Sequence, residues 1–152
     1  MTAKAIEQVC IDRYKLKSER TLKIKKKIEV ILDELRPTAL ISGMALGIDT
    51  LFAQIAIERN LELVAAIPCL GHPNKWPKTS QDIYYKILEY PKIKVQMVSN
   101  KPYDDKCMQN RNIWMVNNCD KLIAVWDGTT GGTKNCVDYA KAINKEIIRI
   151  IP

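Results

Sequence analysis

The sequence predicts an α/β fold of Rossmann-like type, a mostly parallel sheet with helices on both faces. Three observations carry that expectation. Short apolar runs alternate with amphipathic helical stretches along the chain, two of those runs end in glycine-bearing turns that open helices, and strand and helix signals follow one another as βαβα. Such alternation forces successive strands to run parallel through right-handed crossovers, and the helices then cover the sheet from both sides.

Leu22, Ile24, Ile28, Ile31, Leu32 and Leu35 mark an amphipathic helix that stops at Arg36-Pro37, because the residue before proline avoids helical backbone angles. A basic helical segment is therefore expected over about 13–36. Ala39-Leu40-Ile41 is a short strand ending in Ser42-Gly43, and Gly47 opens a second helix with Ile48, Leu51, Phe52, Ile55 and Ala56 on one face. Leu61 to Pro68 reads as a buried strand, followed by a loop of breakers from Gly71 to Pro77. Thr79 or Ser80 is placed to cap a third helix over Gln81 to Tyr90, before a strand from Ile93 to Val98. Asp104 or Asp105 is placed to cap a fourth helix that runs through Asn118. Lys121 to Trp126 is the next strand, Asp127 to Gly132 a Gly/Thr loop, Thr133 to Asn144 a helix and Glu146 to Ile151 the last strand.

At 152 residues the chain has the length of one domain, 1–152, with neither repeat nor linker. A domain of this size buries roughly 68–70% of its unfolded surface, so its core needs neither disulfides nor metal. Hydrophobic residues make up 47% and the mean hydropathy is -0.18, yet the longest apolar runs, such as Leu63 to Ile67, are strand-sized and span no membrane. The N-terminus lacks the apolar block of a secretory signal, which predicts a cytoplasmic location. Five cysteines (Cys10, Cys69, Cys107, Cys119, Cys136) without a C-x-x-C pair fit reduced thiols, and with His72 as the single histidine no metal is expected. Nor is a cofactor.

The net charge of +7 is concentrated. Arg13 to Lys27 holds eight basic residues against Glu19, and the rest of the chain is near neutral. That segment suits either a solvated helix face or contact with a phosphate backbone.

The chemistry points to two turns, Ser42 to Asp49 and Asp127 to Thr133. Glycines there let backbone approach a ligand, and the N–H groups and positive end of the helix that follows attract phosphate. Neither is a Walker A loop or a G-x-G-x-x-G fingerprint. In the polar cluster Gln109-Asn110-Arg111-Asn112, the arginine has the fork geometry that suits phosphate. Trp76 can stack on a base or pack its loop, and His72 reads as a surface histidine.

Ser42-Gly43-Met44-Ala45-Leu46-Gly47-Ile48-Asp49, Trp76-Pro77, Arg111 to Val116, and Trp126-Asp127-Gly128 with Gly131-Gly132-Thr133 together resemble the SLOG superfamily over roughly residues 22–152. This Rossmann-like group joins the Lonely Guy phosphoribohydrolases, the single-stranded-DNA-binding DNA-processing protein A and uncharacterised phage and bacterial domains, and the last are the nearest in pattern. The first turn is similar to the S-G-x-A-x-G-I-D turn of DNA-processing protein A, part of an anion pocket, which implies a phosphate or ribose site at Ser42, Gly43, Gly47 and Asp49. Met108 to Met115 resembles the M-H-x-R-K-A-x-M helix of Lonely Guy enzymes, which places Arg111 on their functional arginine, with Gln109 for histidine and Asn112 for lysine.

Two departures qualify the resemblance. The G-T-x-x-E carboxylate of the enzymes falls on Cys136, and a thiol near its ordinary pKa cannot stabilise an oxocarbenium-like centre, so Asp127 or Asp138 would have to substitute. The chain also lacks the first apolar strand and T-G-H-R-P-like turn of its relatives, so Met1 to Tyr14 suits a helix as well as a strand.

The reading is a module that binds a nucleotide or nucleotide-derived ligand, as a sensor or sequestering protein of phage and bacterial conflict. Arg111 and Asn112 would meet phosphate alongside Gly128, Thr130, Gly131, Gly132 and Thr133. Asp49 or Asp127 would accept from ribose hydroxyls, and Trp76 would close over the base. The alternatives are cleavage or transfer at an N-glycosidic bond and single-stranded DNA binding through Arg13 to Lys27. A homodimer or higher homo-oligomer is expected, with a borrowed edge replacing the missing strand.

Overall fold

A computed structural model describes the backbone of residues 4–6 and the whole of residues 18–152. Cys10 and the stretch from Arg13 to Lys17 lie outside the described residues.

A six-stranded sheet forms in the order β4-β3-β2-β1-β5-β6, with every strand pair parallel. Its strands are β1 (Lys4–Ile6), β2 (Ala39–Ser42), β3 (Glu62–Ile67), β4 (Ile93–Met97), β5 (Lys121–Val125) and β6 (Glu146–Ile150). Between them run α1 (Glu19–Leu35), α2 (Ile48–Glu58), α3 (Lys78–Leu88), α4 (Cys107–Asn118) and α5 (Gly132–Ala142). The Rossmann-like α/β expectation is met.

Strand residues alternate between the two faces with period two, as the pleat requires. Leu40, Leu63 and Ile123 join the core under α1, α2 and α3, while their neighbours Ile41, Val64 and Leu122 join the core under α4 and α5. Both faces are covered, which is why these strands read as continuous apolar runs rather than as alternating ones. Fully burying a side chain such as Phe52, Leu32 or Met115 contributes roughly 1.5–3 kcal/mol.

The helix α1 begins at Ser18, whose hydroxyl accepts from the Thr21 amide at 3.2 Å, and buries Ile24, Ile28 and Leu32 on one stripe. It ends at Arg36, in left-handed backbone (φ 47°) ahead of Pro37. Arg20, Lys23, Lys26 and Lys27 lie on its exposed side.

Three expectations need correction. Relatives' first strand is not missing: Lys4–Ile6 pairs with β2 and β5 at the centre of the sheet, although three residues are too few to show a strand period. Neither Thr79 nor Ser80 caps α3. Pro77 stands at the cap and both residues fall within the first turn, so the helix begins at Lys78 rather than Gln81. Asp104 accepts from the Lys106 amide at 2.9 Å in a turn just before α4, and the capping residue is Lys106, with no side-chain bond.

The chain adds β2, β3 and β4 on one side of β1, then crosses to lay β5 and β6 on the other. In parallel sheets that reversal opens a crevice beyond the carboxyl ends of the central strands, where ligands bind.

Candidate functional site at the carboxyl edge of the sheet

Both glycine turns emerge at this edge, from β2 and β5, which are separated only by β1 and so lie about 10 Å apart. Their chemistry differs.

The β2–α2 turn is built from its own side chains. Ser42 Oγ donates to the Asp49 carbonyl at 2.7 Å and accepts from the Met44 amide at 3.1 Å. Asp49 Oδ2 accepts from the Ala45 amide at 3.2 Å, and Thr50 Oγ1 donates to the Ala45 carbonyl at 2.8 Å. These bonds hold Met44 (φ 58°) and Gly47 (φ 90°) in backbone that L side chains rarely adopt.

Arg111 closes the turn from α4. Its Nη1 donates to the Gly43 carbonyl and its Nε to Asn112 Oδ1 at 3.0 Å, with the side chain 3% exposed. A Cβ on Gly43 would lie 2.7 Å from Arg111 Nη1 and 2.7 Å from Asp49 Oδ2, so glycine is required by the close approach of the two charges. The arginine expected to fork onto a phosphate is thus a buried brace of the turn. Asp49 is 2% exposed; burial pushes its carboxyl up to about 6, against the opposing pull of Arg111, and its Oδ1 has no hydrogen-bond partner. Burial also lowers the pKa of Arg111 from its ordinary value.

The structure therefore brings Ser42, Gly43, Asp49, Arg111 and Asn112 into one buried cluster. Trp76 packs in an edge-to-face group with His72 (5.0 Å), from the β3–α3 loop, and Tyr84 (5.4 Å), from α3, and both of these partners feel the Arg111 charge. His72 is not a simple surface histidine. Burial and then Arg111 drive its pKa down to about 3.

The β5–α5 loop is open. Thr130, Gly131 and Gly132 are exposed, and a Cβ built on Gly131 or Gly132 would meet nothing within 4 Å. Asp127 Oδ1 accepts from the Thr129 amide (2.9 Å) and hydroxyl (2.7 Å), which hold its carboxyl below the ordinary range. Like α2, which follows Gly47 at its N-cap, α5 follows a glycine, Gly131, with no side-chain cap. At neither helix start does the capping residue supply a side-chain hydrogen bond.

Sequence reasoning missed Arg149. Its Nε donates to the Trp126 carbonyl at 3.0 Å and its guanidinium lies 4.7 Å from the Trp126 ring centroid. The available signal was a cation between Ile148 and Ile150 at the end of an apolar strand.

The positions considered for glycosidic chemistry lie in three different environments. Cys136 is a buried thiol with its pKa pushed up to about 12 by burial, Asp138 pairs with Lys134 on the surface, and Asp127 is held ionised. Among the described residues no group of three or more metal-ligating side chains is assembled, and no helix is long and apolar enough to cross a membrane.

The family model described as DNA recombination-mediator protein A matches residues 17–152. The chain belongs to this family. In sequence this recombination-mediator family member is similar to the uncharacterized SPbeta prophage-derived protein YoqJ of Bacillus subtilis (strain 168), 27% identical over 146 residues, covering 83% of this chain and 85% of the relative. In structure it matches DNA processing protein A from Streptococcus pneumoniae (TM-score 0.74, 19% identity, 99% of this chain). It also matches DNA processing protein A from Helicobacter pylori, a protein with a single-stranded DNA binding mode (TM-score 0.72, 15% identity, 99% of this chain). The chain spans 51% of the length of the first structure and 66% of the second. The SLOG-type, DNA-processing-protein-A-like resemblance read from the motifs is borne out.

Proposed function

We propose that this chain binds the phosphate of a nucleotide or nucleotide-derived ligand in the crevice between the β2–α2 turn and the β5–α5 loop, as a sensor or sequestering module. One observation carries the reading. Two helices point N-termini without side-chain caps at the same sheet edge, on either side of the strand where the topology reverses. Gly128, Thr130, Gly131, Gly132 and Thr133 supply the phosphate cradle, while the buried Asp49 shapes the adjoining turn. Asp127, exposed at that edge, is the acceptor for a ribose hydroxyl.

Gly132→Asp tests this directly. The position has open space, and an acid in the first turn favours the helix while repelling an anion. A thermal-shift screen with nucleoside monophosphates, ADP-ribose, NAD and cyclic oligonucleotides should find a ligand whose stabilisation disappears in the variant, with the melting temperature of the free protein retained. Equal shifts in both proteins would remove the proposal.

A second reading, single-stranded DNA binding, is favoured by family membership and by the exposed cations of α1, whose N-terminal end lies toward the same edge because α1 returns antiparallel to β1. Here affinity for an oligothymidylate should fall steeply between low and moderate salt. A salt-independent affinity would count against it. Self-association is part of either reading; a mass near 17.4 kDa by light scattering at micromolar concentration would exclude the dimer.

A further inference from the structure

The β5–α5 loop has no cation of its own. From Trp126 to Thr133 its one charged residue is Asp127, an acid, although phosphate is the ligand proposed for it. The positive charge comes from the neighbouring strand. On β6, Arg149 is fixed at two points, by the Nε bond to the Trp126 carbonyl (3.0 Å) and by its position over the Trp126 ring (4.7 Å). Its Nη2 lies against Gly128, where an added Cβ would sit 3.4 Å away. Asp127 is near enough for the Arg149 charge to help lower its pKa, but its Oδ1 is held by Thr129 and no hydrogen bond joins it to the guanidinium among the described residues. Neither Nη nitrogen of Arg149 has an acceptor among the described residues.

An arginine in this state is a preorganised fork. The tryptophan and the carbonyl have already restricted its rotamers, which reduces the entropy lost on binding, and two parallel N–H groups match two phosphate oxygens. Further positive charge lies close by. Lys141 stands 5.9 Å from the same ring, and Lys27, from α1 on the opposite face, donates to the Ile151 carbonyl at the end of β6.

We infer that Arg149, laid on Trp126, is the arginine that receives a phosphate group at the mouth of the β5–α5 loop, while the buried Arg111 shapes the adjoining turn. This inference rests on the proposed function and names the cation of that site.

The experiment compares the wild type with Arg149→Gln and Arg149→Lys, titrated with adenosine 5′-monophosphate and with a fluorescently labelled oligothymidylate at low and moderate salt. Arg149→Gln should weaken binding by about tenfold to a hundredfold, as for one forked, charge-assisted contact. Arg149→Lys, which keeps the charge and loses the fork, should recover only part. Both variants should melt near the wild type, since the side chain is exposed. Weakening with both probes assigns the phosphate to a nucleotide in either form, and weakening with the oligothymidylate alone assigns it to a strand; both outcomes support the inference. If the wild type binds and Arg149→Gln binds equally well, the inference falls and the proposed site survives. If the wild type binds neither probe, the inference falls, and the proposed site falls with it when the wider ligand screen is silent too.

Discussion

Arg111 and Asp49 meet at Gly43, and that contact decides what their substitution does. Arg111→Ala removes the donor to the Gly43 carbonyl and leaves a buried carboxyl without its compensating charge, so it should destabilise the fold by about 3–5 kcal/mol in urea titrations. A variant of wild-type stability would show that the guanidinium is not a brace. The two perturbed groups beside Arg111 also predict opposing pH dependences. Asp49, raised from 3.8 to about 6, makes the native state hold more protons than the unfolded chain, so its contribution to stability falls as pH rises through roughly 4–6. His72, lowered from 6.5 to about 3, makes the native state hold fewer, so its contribution is lost as pH falls from 6.5. Asp49→Asn should therefore steepen the gain in stability on going from pH 4 to 6.5, and His72→Gln should reverse it; unchanged profiles in both variants would refute the assignment. The importance of Arg111 was legible in its motif. Its role was not, because burial depends on which elements meet over it, and Gly43 and Arg111 are far apart in the chain.

Helix starts separate elements that stabilise themselves from elements left open. The hydroxyl of Ser18 satisfies an amide of α1, so Ser18→Ala should lower stability by about 1 kcal/mol. Gly47, at φ 90°, admits no side chain without strain, and Gly47→Ala should destabilise α2 by roughly 1–3 kcal/mol. Circular-dichroism melts distinguish these effects, and an unchanged melt for Ser18→Ala would show that its bond to Thr21 contributes nothing. The sequence pattern located every helix because apolar periodicity is a property of each segment alone. It misplaced the starts of α3 and α4 because a cap is set by backbone geometry: Pro77 begins one helix without a capping hydroxyl, and Asp104 is used in the turn before the other.

At the scale of the molecule, the alternation of strands and helices was enough to foresee a parallel sheet covered on both faces. It could not show that the N-terminus supplies the strand between β2 and β5, since Lys4–Ile6 has too few residues to display a period. The case for a borrowed edge loses that ground, and any self-association must rest on another surface. Deleting residues 1–6 should divide the sheet into a β4-β3-β2 part and a β5-β6 part and broaden the thermal transition; a sharp, wild-type melt of the truncated chain would contradict the central position of β1.

That position also orders events in time. During synthesis β1 leaves the ribosome before the other five strands, yet its β5 neighbour emerges only after β2, β3 and β4, so the middle of the sheet closes late. Such a long-range pairing carries a high loop-closure entropy and slows folding. Until β5 arrives, the nascent protein carries an unpaired strand edge on β1, and the crevice between the two glycine turns takes shape only once β5 and α5 have emerged.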